Sequence, residues 1–208
     1  MKAKYFKING QTIIKTSNMK VGEDTLIYNM GSAKYCPNRK TCPYGKDGSC
    51  YGDKSERLYP NCLPYKLRQK EYWNNTDKFV IAMDFLSITS TNPQIRFIRF
   101  NETGDMETKE DFIKLNYIAD FFKPYGIKVY TYTHSHKLIK TLKDSGDYNK
   151  YKSDNLVLNG SDVMIDNNFK VVSKDYKPKP TEKQCAMKCL NCNLCKTANK
   201  QTILVVIH

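Results

Sequence analysis

The chain has 208 residues, of which 40% are hydrophobic, and it carries a formal net charge of +13. A chain of this length can bury a core as one domain, and its hydrophobic content with 15 tyrosines excludes an intrinsically disordered protein. No apolar run approaches the roughly 18 residues that a membrane-spanning helix needs, so we expect no membrane partner.

The N-terminal third of the chain predicts short strands followed by a cysteine-rich loop. Residues 3–29 contain short runs with strand character around turns, and Asn9-Gly10 is a hairpin signal. Residues 36–64 are rich in Cys, Pro, Gly and Lys, which predicts a loop that a bound metal orders, within an N-terminal cysteine loop spanning residues 30–70. The N-terminus lacks the apolar core of a signal peptide, so we expect a cytoplasmic protein.

The remainder of the chain predicts strands that alternate with helices. Apolar residues at helical spacing predict helices that begin after Asn75-Thr76 and after Thr108, and a third that ends at Gly146. The predicted strands cover residues 95–100, 127–133, 155–162, 168–173 and 202–208. This alternation predicts a single α/β domain over residues 1–208, with a parallel sheet and right-handed crossovers.

Polar side chains cluster where two of the predicted strands end. Because parallel α/β folds bind ligands at the carboxyl ends of their strands, these residues are candidates for a site. The alternative is that they are turn formers and helix caps. The candidates are Glu102 and Asp105 as catalytic residues, and Asn101, Gly104, Thr133 and His134 as cofactor-binding residues.

Two histidines follow the strand over residues 127–133. His134 and His136 alternate along the predicted strand end. From the alternation of side chains between the two faces of a strand, we expect that the two rings do not share a face. At most one of them should then point into a given site.

Eight cysteines form two groups at opposite ends of the chain, and we interpret all eight as candidate metal ligands. In a cytoplasmic protein, closely spaced cysteines more often bind metal or do redox work than form disulfides. The alternative is a set of reduced structural thiols. The first group is Cys36, Cys42, Cys50 and Cys62, and the second is Cys185, Cys189, Cys192 and Cys195.

The second group lies in a C-terminal cysteine loop over residues 176–200 and has the spacing C-x3-C-x2-C-x2-C. Its C-x2-C-x2-C part is typical of loops that bind a [4Fe–4S] cluster, whereas structural zinc sites usually pair two short C-x2–4-C units. No histidine lies within either group, which favours an iron–sulfur cluster, with zinc as the alternative. Four ligands from one 11-residue loop would be strained, so we expect a cysteine to cross between the groups.

The first group is more loosely spaced than the second. Cys36, Cys42 and Cys50 are its core candidates, and Cys62 is either the fourth ligand or an ordinary thiol. The positive charge is concentrated near both groups: residues 1–70 carry 14 Lys/Arg against 5 Asp/Glu, and residues 166–208 carry 8 against 3. Nearby cations would stabilise an anionic thiolate cluster.

The basic excess also predicts partners. A basic surface could attract nucleic acid, an acidic host protein or a phosphate-bearing small molecule. The second function class is therefore a metal-stabilised binding protein that holds nucleic acid or a host protein. General solubility explains the same charge equally well.

The order of several motifs resembles the "gene product 88" family of phages and mobile elements. The motifs are CPNRKTC and CYGDK, IRFNETGD after a strand, VYTYTHS at the end of the next strand, and CAMKCLNCNLC before TILVVIH. The likeness spans most of residues 30–208. It implies a phage-encoded protein in an infected host cell, and it bears on architecture more than on activity.

A more distant resemblance is to radical S-adenosylmethionine (SAM) enzymes. GIKVYTYTHS is similar to a strand of those enzymes, and NETGD occupies the position of their Gly-Gly-Glu loop. The first cysteine group departs from their C-x3-C-x2-C spacing, and the glycine pair that receives the SAM amino group is absent. The resemblance implies a partial (β/α) barrel, a cluster on Cys36, Cys42 and Cys50, SAM as a candidate cofactor, and redox or radical chemistry on an unidentified substrate.

Overall fold

The computed structural model describes residues 3–18, 20–46, 50–190 and 192–206. Its centre is one nine-stranded sheet with the order β1-β2-β3-β4-β5-β6-β7-β9-β8. The strands are β1 Lys4–Ile8, β2 Gln11–Thr16, β3 Thr25–Tyr28, β4 Phe97–Phe100, β5 Lys128–Thr133, β6 Leu156–Ser161, β7 Asn167–Val172, β8 Glu182–Gln184 and β9 Thr202–Val206.

Most of the sheet is parallel, which confirms the predicted α/β class. Strands β1, β2 and β3 pair antiparallel, whereas every later pair, from β3–β4 to β9–β8, is parallel. The carboxyl ends of β3, β4, β5 and β6 therefore lie at one edge of the sheet. The loops after these strands contain the first cysteine group and the predicted site residues.

The helices cover one face of the sheet and form the core with it. Alternate residues of β4 show this arrangement: Ile98 and Phe100 are buried in the main apolar cluster, together with Trp73, Phe85 and Phe112 from three helices. The helices are α1 Pro43–Lys46, α2 Tyr51–Leu58, α3 Cys62–Asn75, α4 Lys78–Ser90, α5 Lys109–Phe122, α6 His136–Asp144 and α7 Asp147–Tyr151.

Two local signals in the sequence are confirmed. Asn9 and Gly10 both have left-handed backbone, with φ of 49° and 78°, as a tight hairpin between β1 and β2 requires. Thr108 caps α5: its side chain accepts a hydrogen bond from the backbone N–H of Asp111, and the Asp111 side chain accepts one from the backbone of Thr108. This capping box fixes the start of a helix that buries its apolar face.

Three details differ from the expectations. The predicted loop over residues 36–64 contains α2 and the start of α3, because the cysteine, glycine and lysine content there masks a short helical segment. The cap of α4 is Asp77, whose carboxylate accepts from Phe79 N at 2.7 Å, since α3 itself runs through Asn75. Strand β8 lies within the predicted loop over residues 176–200, and it was too short and polar to predict.

The last predicted strand, over residues 202–208, is confirmed as far as Val206, and its last two residues lie outside the described part. In the described residues, every helix is too short or too polar to cross a membrane.

Candidate metal and ligand sites

The first cysteine group lies across the carboxyl ends of β4, β5 and β6. Asn38, in the segment CPNRKTC, donates hydrogen bonds to Asp105 Oδ2 at 3.1 Å and to Ser135 Oγ at 2.6 Å. The Tyr44 hydroxyl lies 3.2 Å from Asp162 Oδ2, after β6. These contacts hold the loop over three neighbouring strand ends, as expected for a ligand site of a parallel α/β fold.

Three thiols of this group interact with one another. Burial raises the pKa of Cys36 to about 12, and Asp105, Cys42 and Cys50 add to the effect. Burial also raises the pKa of Cys42, with further contributions from Cys50 and Asp105. Without a bound cation the thiols of Cys36 and Cys42 are therefore protonated, and a metal would have to supply the charge that makes them thiolates.

Asp105 is a buried hydrogen-bond acceptor beside these thiols, with 7% of its surface exposed. It accepts from Thr133 Oγ1 at 2.7 Å and from three further groups: the backbone N–H of His134 at 2.6 Å, that of Met106 at 2.8 Å, and Asn38 Nδ2. Burial raises its pKa although these donors act to lower it. Two predicted site residues, Asp105 and Thr133, are thus brought together with the first cysteine group.

Glu102, from the same loop, is held by β2 and the residues that follow it. Lys15 Nζ lies 2.7 Å from Glu102 Oε2, and Asn18 Nδ2 donates to Oε1 at 2.6 Å. Burial acts to raise the pKa of Glu102, but the charges of Lys15 and Arg99 outweigh it, so the pKa is lowered. The predicted catalytic carboxylate is therefore a charged partner in a mostly buried ion pair.

Asn101 and Gly104 fix the loop after β4 against the chain after β3. Asn101 has a left-handed backbone with φ of 59°, and its Oδ1 accepts from Met30 N at 3.0 Å. Gly104 has φ of +76°, and a Cβ atom there would lie 2.7 Å from the carbonyl oxygen of Gly31. Their structural role is to keep two loops in contact. The cofactor-binding role predicted for both residues stays a prediction.

His134 and His136 lie side by side at the end of β5. Their ring centres are 4.3 Å apart, so the prediction that they do not share a face is wrong. Side chains two positions apart lie on the same face of an extended chain, and the two rings stay side by side where β5 ends at Thr133 and α6 begins at His136. His134 Nδ1 and His136 Nε2 are buried and have no hydrogen-bond partner among the described residues. Burial and the neighbouring His134 lower the pKa of His136.

Cys62 lies apart in its contacts from the three interacting thiols. It is the first residue of α3, and its sulfur is 3.7 Å from Ser55 Oγ of α2. The thiols that contribute to the raised pKa of Cys36 are those of Cys42 and Cys50. Of the two roles left open for Cys62, the ordinary thiol agrees better with these contacts.

The second cysteine group lies against the sheet face opposite to the helices. Cys189 N donates to the carbonyl oxygen of Lys20, just before β3, at 2.9 Å. Asn159 Nδ2, on β6, donates to the carbonyl oxygen of Cys195 at 2.9 Å. The loop thus crosses the sheet from β6 towards the amino end of β3, and it lies on the other side of the sheet plane from the helices.

The four thiols of this group interact with one another and not with a borrowed partner. Burial raises the pKa of Cys189, and Cys185 and Cys192 add to it. Burial raises the pKa of Cys195 to about 12, again with contributions from Cys185 and Cys189. Cys185, directly after β8, contributes to the raised pKa of both Cys189 and Cys195, and the expected crossing of a cysteine between groups stays a prediction.

Two cations that are not among the predicted site residues lie beneath the second group. The Arg99 guanidinium lies 4.9 Å from the ring centre of Tyr132, and Arg99 lowers the pKa of Cys189 and of Cys195 against the effect of burial. Lys196, 5% exposed, donates to the carbonyl oxygen of Cys189 at 3.0 Å. A charged residue within the apolar alternation of IRFIRF was the signal that could have identified Arg99.

In the described residues, no three His, Cys, Asp or Glu side chains stand close enough together to hold a single metal ion as they are placed. The donor sets are nevertheless all thiol, with three sulfurs beside a carboxylate in one group and four sulfurs above two cations in the other. Both sets suit thiophilic metal centres rather than calcium or magnesium, which take oxygen ligands.

Comparison with protein families gives one finding. The model of the family described as Gene product 88 matches residues 4–162. The match begins earlier than the likeness expected over residues 30–208, and it ends before the second cysteine group. No curated protein and no solved structure matches the chain.

Proposed function

The chain belongs to the Gene product 88 family, and from its two separate groups of interacting thiols we propose that it is a phage-encoded iron–sulfur protein. The observation that carries the proposal is that the two cysteine groups lie at two different places on one parallel sheet, the first over the carboxyl ends of its strands and the second on the face opposite to the helices. The C-x2-C-x2-C spacing of the second group and the lack of histidine in either group favour iron–sulfur over zinc.

The second site is proposed to have a structural or electron-transfer role. Cys185, Cys189, Cys192 and Cys195 would hold the cluster there. Arg99 and Lys196 would offset the negative charge of bound thiolates, and Tyr132 acts to lower the pKa of Cys195. The loop lies on the sheet face, and the two cations contact it from the sheet side, where Lys196 is buried.

The first site is proposed to be where a substrate reacts. Cys36, Cys42 and Cys50 would hold a cluster there, and a bound iron–sulfur cluster supplies one-electron redox chemistry. Asn38 and Asp105 hold the cysteine loop over the strand ends. The histidine pair at the end of β5 has two buried ring nitrogens without a partner among the described residues, and a small molecule that reached them would exchange a proton with them.

A radical-SAM-like partial barrel is the proposed scaffold for this chemistry. Two features support it: β3 to β7 are consecutive parallel neighbours, and the first cysteine group follows β3, the first of them. The NETGD loop follows the next strand, where the resemblance requires it. SAM is retained as a candidate ligand of the first site, although the glycine pair that would receive its amino group is absent.

The decisive experiment is metal and sulfide analysis, with Mössbauer spectra, on protein isolated without oxygen from iron-replete cells. We expect a brown protein with about eight irons per chain, as two [4Fe–4S] clusters require. Addition of SAM should change the spectrum of one cluster if that cluster has an open iron. A colourless protein that contains zinc and no sulfide would refute the iron–sulfur proposal and establish the zinc alternative.

A further inference from the structure

Helix α2 has one face packed on the protein and another that is exposed. On the packed side, Gly52 is buried against Thr103 and Ala33, so closely that a Cβ atom would not fit. Glu56 accepts hydrogen bonds from the backbone N–H of Ala33 at 2.7 Å and of Lys34 at 3.0 Å. The helix is thus fixed on the loops after β3 and β4, and its outer face is presented in a defined orientation.

The outer face of α2 is both aromatic and basic. Tyr51 is 74% exposed, Leu58 is 60% exposed and Tyr59, directly after the helix, is 64% exposed. Lys54 and Arg57, both exposed, lie between these residues in the sequence. We call these five residues the α2 outer face. Such large exposed side chains next to one another on a rigid element indicate a binding surface.

The acidic residues of α2 do not cancel the charge of this face. Asp53 is engaged by Arg39, whose Nη1 lies 2.9 Å from its Oδ1, and Glu56 is engaged by Lys66 at 3.2 Å. Both carboxylates thus have a cation of their own from elsewhere in the chain. Lys54 and Arg57 therefore remain as net positive charge on the solvent side, within a region where 14 basic residues face 5 acidic ones over positions 1–70.

We infer that the α2 outer face binds single-stranded nucleic acid. Exposed aromatic rings beside lysine and arginine match the two parts of such a ligand, because unpaired bases stack on the rings and phosphates bind the cations. In a duplex the bases are paired and stacked on one another, so only the phosphates could contact this face. The inference does not depend on the nature of the metal centres, and it concerns the exposed side of a helix that follows Cys50 directly.

The test is fluorescence anisotropy of the intact protein with labelled single strands of about 15 nucleotides, DNA and RNA in separate arms, and with the corresponding DNA duplex. We expect single strands to bind more tightly than the duplex, and the affinity to fall as salt rises from roughly 50 to 200 mM. Tyr51→Ala and Tyr59→Ala should each weaken binding about five- to hundredfold, the loss of one stacked base.

Two variants make the result specific. Tyr51→Phe keeps the ring and should bind like the unchanged protein, whereas Tyr125→Ala removes another exposed tyrosine, 52% exposed, from a different part of the chain and should have no effect. Binding of either RNA or DNA supports the inference and identifies the sugar that is preferred. No binding at low salt, equal binding of duplex and single strand, or unchanged affinity in both alanine variants at α2 would overturn it. The iron–sulfur proposal is tested separately, by metal analysis, and none of these binding results bears on it.

Discussion

Arg99 of β4 stacks on Tyr132 of β5, with its guanidinium carbon 4.9 Å from the ring centre. Tyr132 in turn lies near Cys195 and acts to lower the pKa of that thiol against the effect of burial. Burial acts to lower the pKa of Arg99, but neighbours that include Tyr132 and Glu102 raise it, so the guanidinium stays charged. A positive charge is thereby held under the second cysteine group by two adjacent strands.

The first prediction concerns this charge. Replacing Arg99→Met should shift the reduction potential of the second cluster to a more negative value, because an added electron loses a nearby positive charge. The reduction potential of Arg99→Lys should lie between that of the unchanged protein and that of Arg99→Met. The measurement is a redox titration followed by electron paramagnetic resonance. The control is Arg96→Met, because the Arg96 side chain is 64% exposed and Arg96 directly precedes β4. A potential that is unchanged in Arg99→Met would contradict the assignment.

The second prediction separates Cys62 from the other cysteines of its group. Cys36→Ser should lose about half of the bound iron, whereas Cys62→Ser should keep it, because the contact of Cys62 is Ser55 and not another thiol. Iron and sulfide analysis of the two variants, purified in parallel without oxygen, is the measurement. An equal loss of iron in Cys62→Ser would show that Cys62 is the fourth ligand.

The third prediction compares two glycines with similar backbone. Gly104 and Gly126 have φ of +76° and +68°, but only Gly104 has backbone atoms within contact distance of an added Cβ, those of Gly31. Gly126→Ala should lower the free energy of unfolding by about 1 kcal/mol, the cost of a left-handed alanine, and Gly104→Ala by about 3 kcal/mol or more. Urea denaturation measures both. Equal costs would mean that the two loops do not meet at Gly104.

The fourth prediction is a pH dependence of stability. The pKa of Glu102 is lower in the folded protein than its ordinary value of 4.5, so the unfolded chain binds the proton more readily. The stabilisation by Glu102 is therefore fully present above about pH 4.5 and is lost as the pH falls below it. The difference in unfolding free energy between the unchanged protein and Glu102→Gln should shrink from pH 7 to pH 4. A constant difference would show that the carboxylate is not charged in the fold.

Much of the fold could be predicted because its signals are local. The turn at Asn9-Gly10, the cap at Thr108 and the apolar strands each depend on a few neighbouring residues. The parallel order then follows from the alternation of strands and helices. Helix α2 was missed because its stability comes from contacts such as Glu56 with the chain at Ala33, which no local pattern contains.

The site was predicted in outline and not in its contacts. The cysteines and Asp105 were visible from spacing and from their position after strands. The partners that give them their environment come from distant segments: Asn38 reaches Asp105 across 67 positions, and Asn159 reaches Cys195 across 36. Glu102 shows the limit most clearly, since its position after a strand suggested catalysis while Lys15, on another strand, forms an ion pair with it.

The position of β9 between β7 and β8 sets an order on assembly. Strand β8 is synthesised before β9. In the described part of the sheet its neighbour is β9, so β8 can join the sheet only after β9 has been synthesised. The second cysteine group lies in the connection between them. On the ribosome these four thiols would therefore be gathered only after residues 202–206 have emerged and paired with β7. Metal binding at this site would then begin only after β9 has been synthesised.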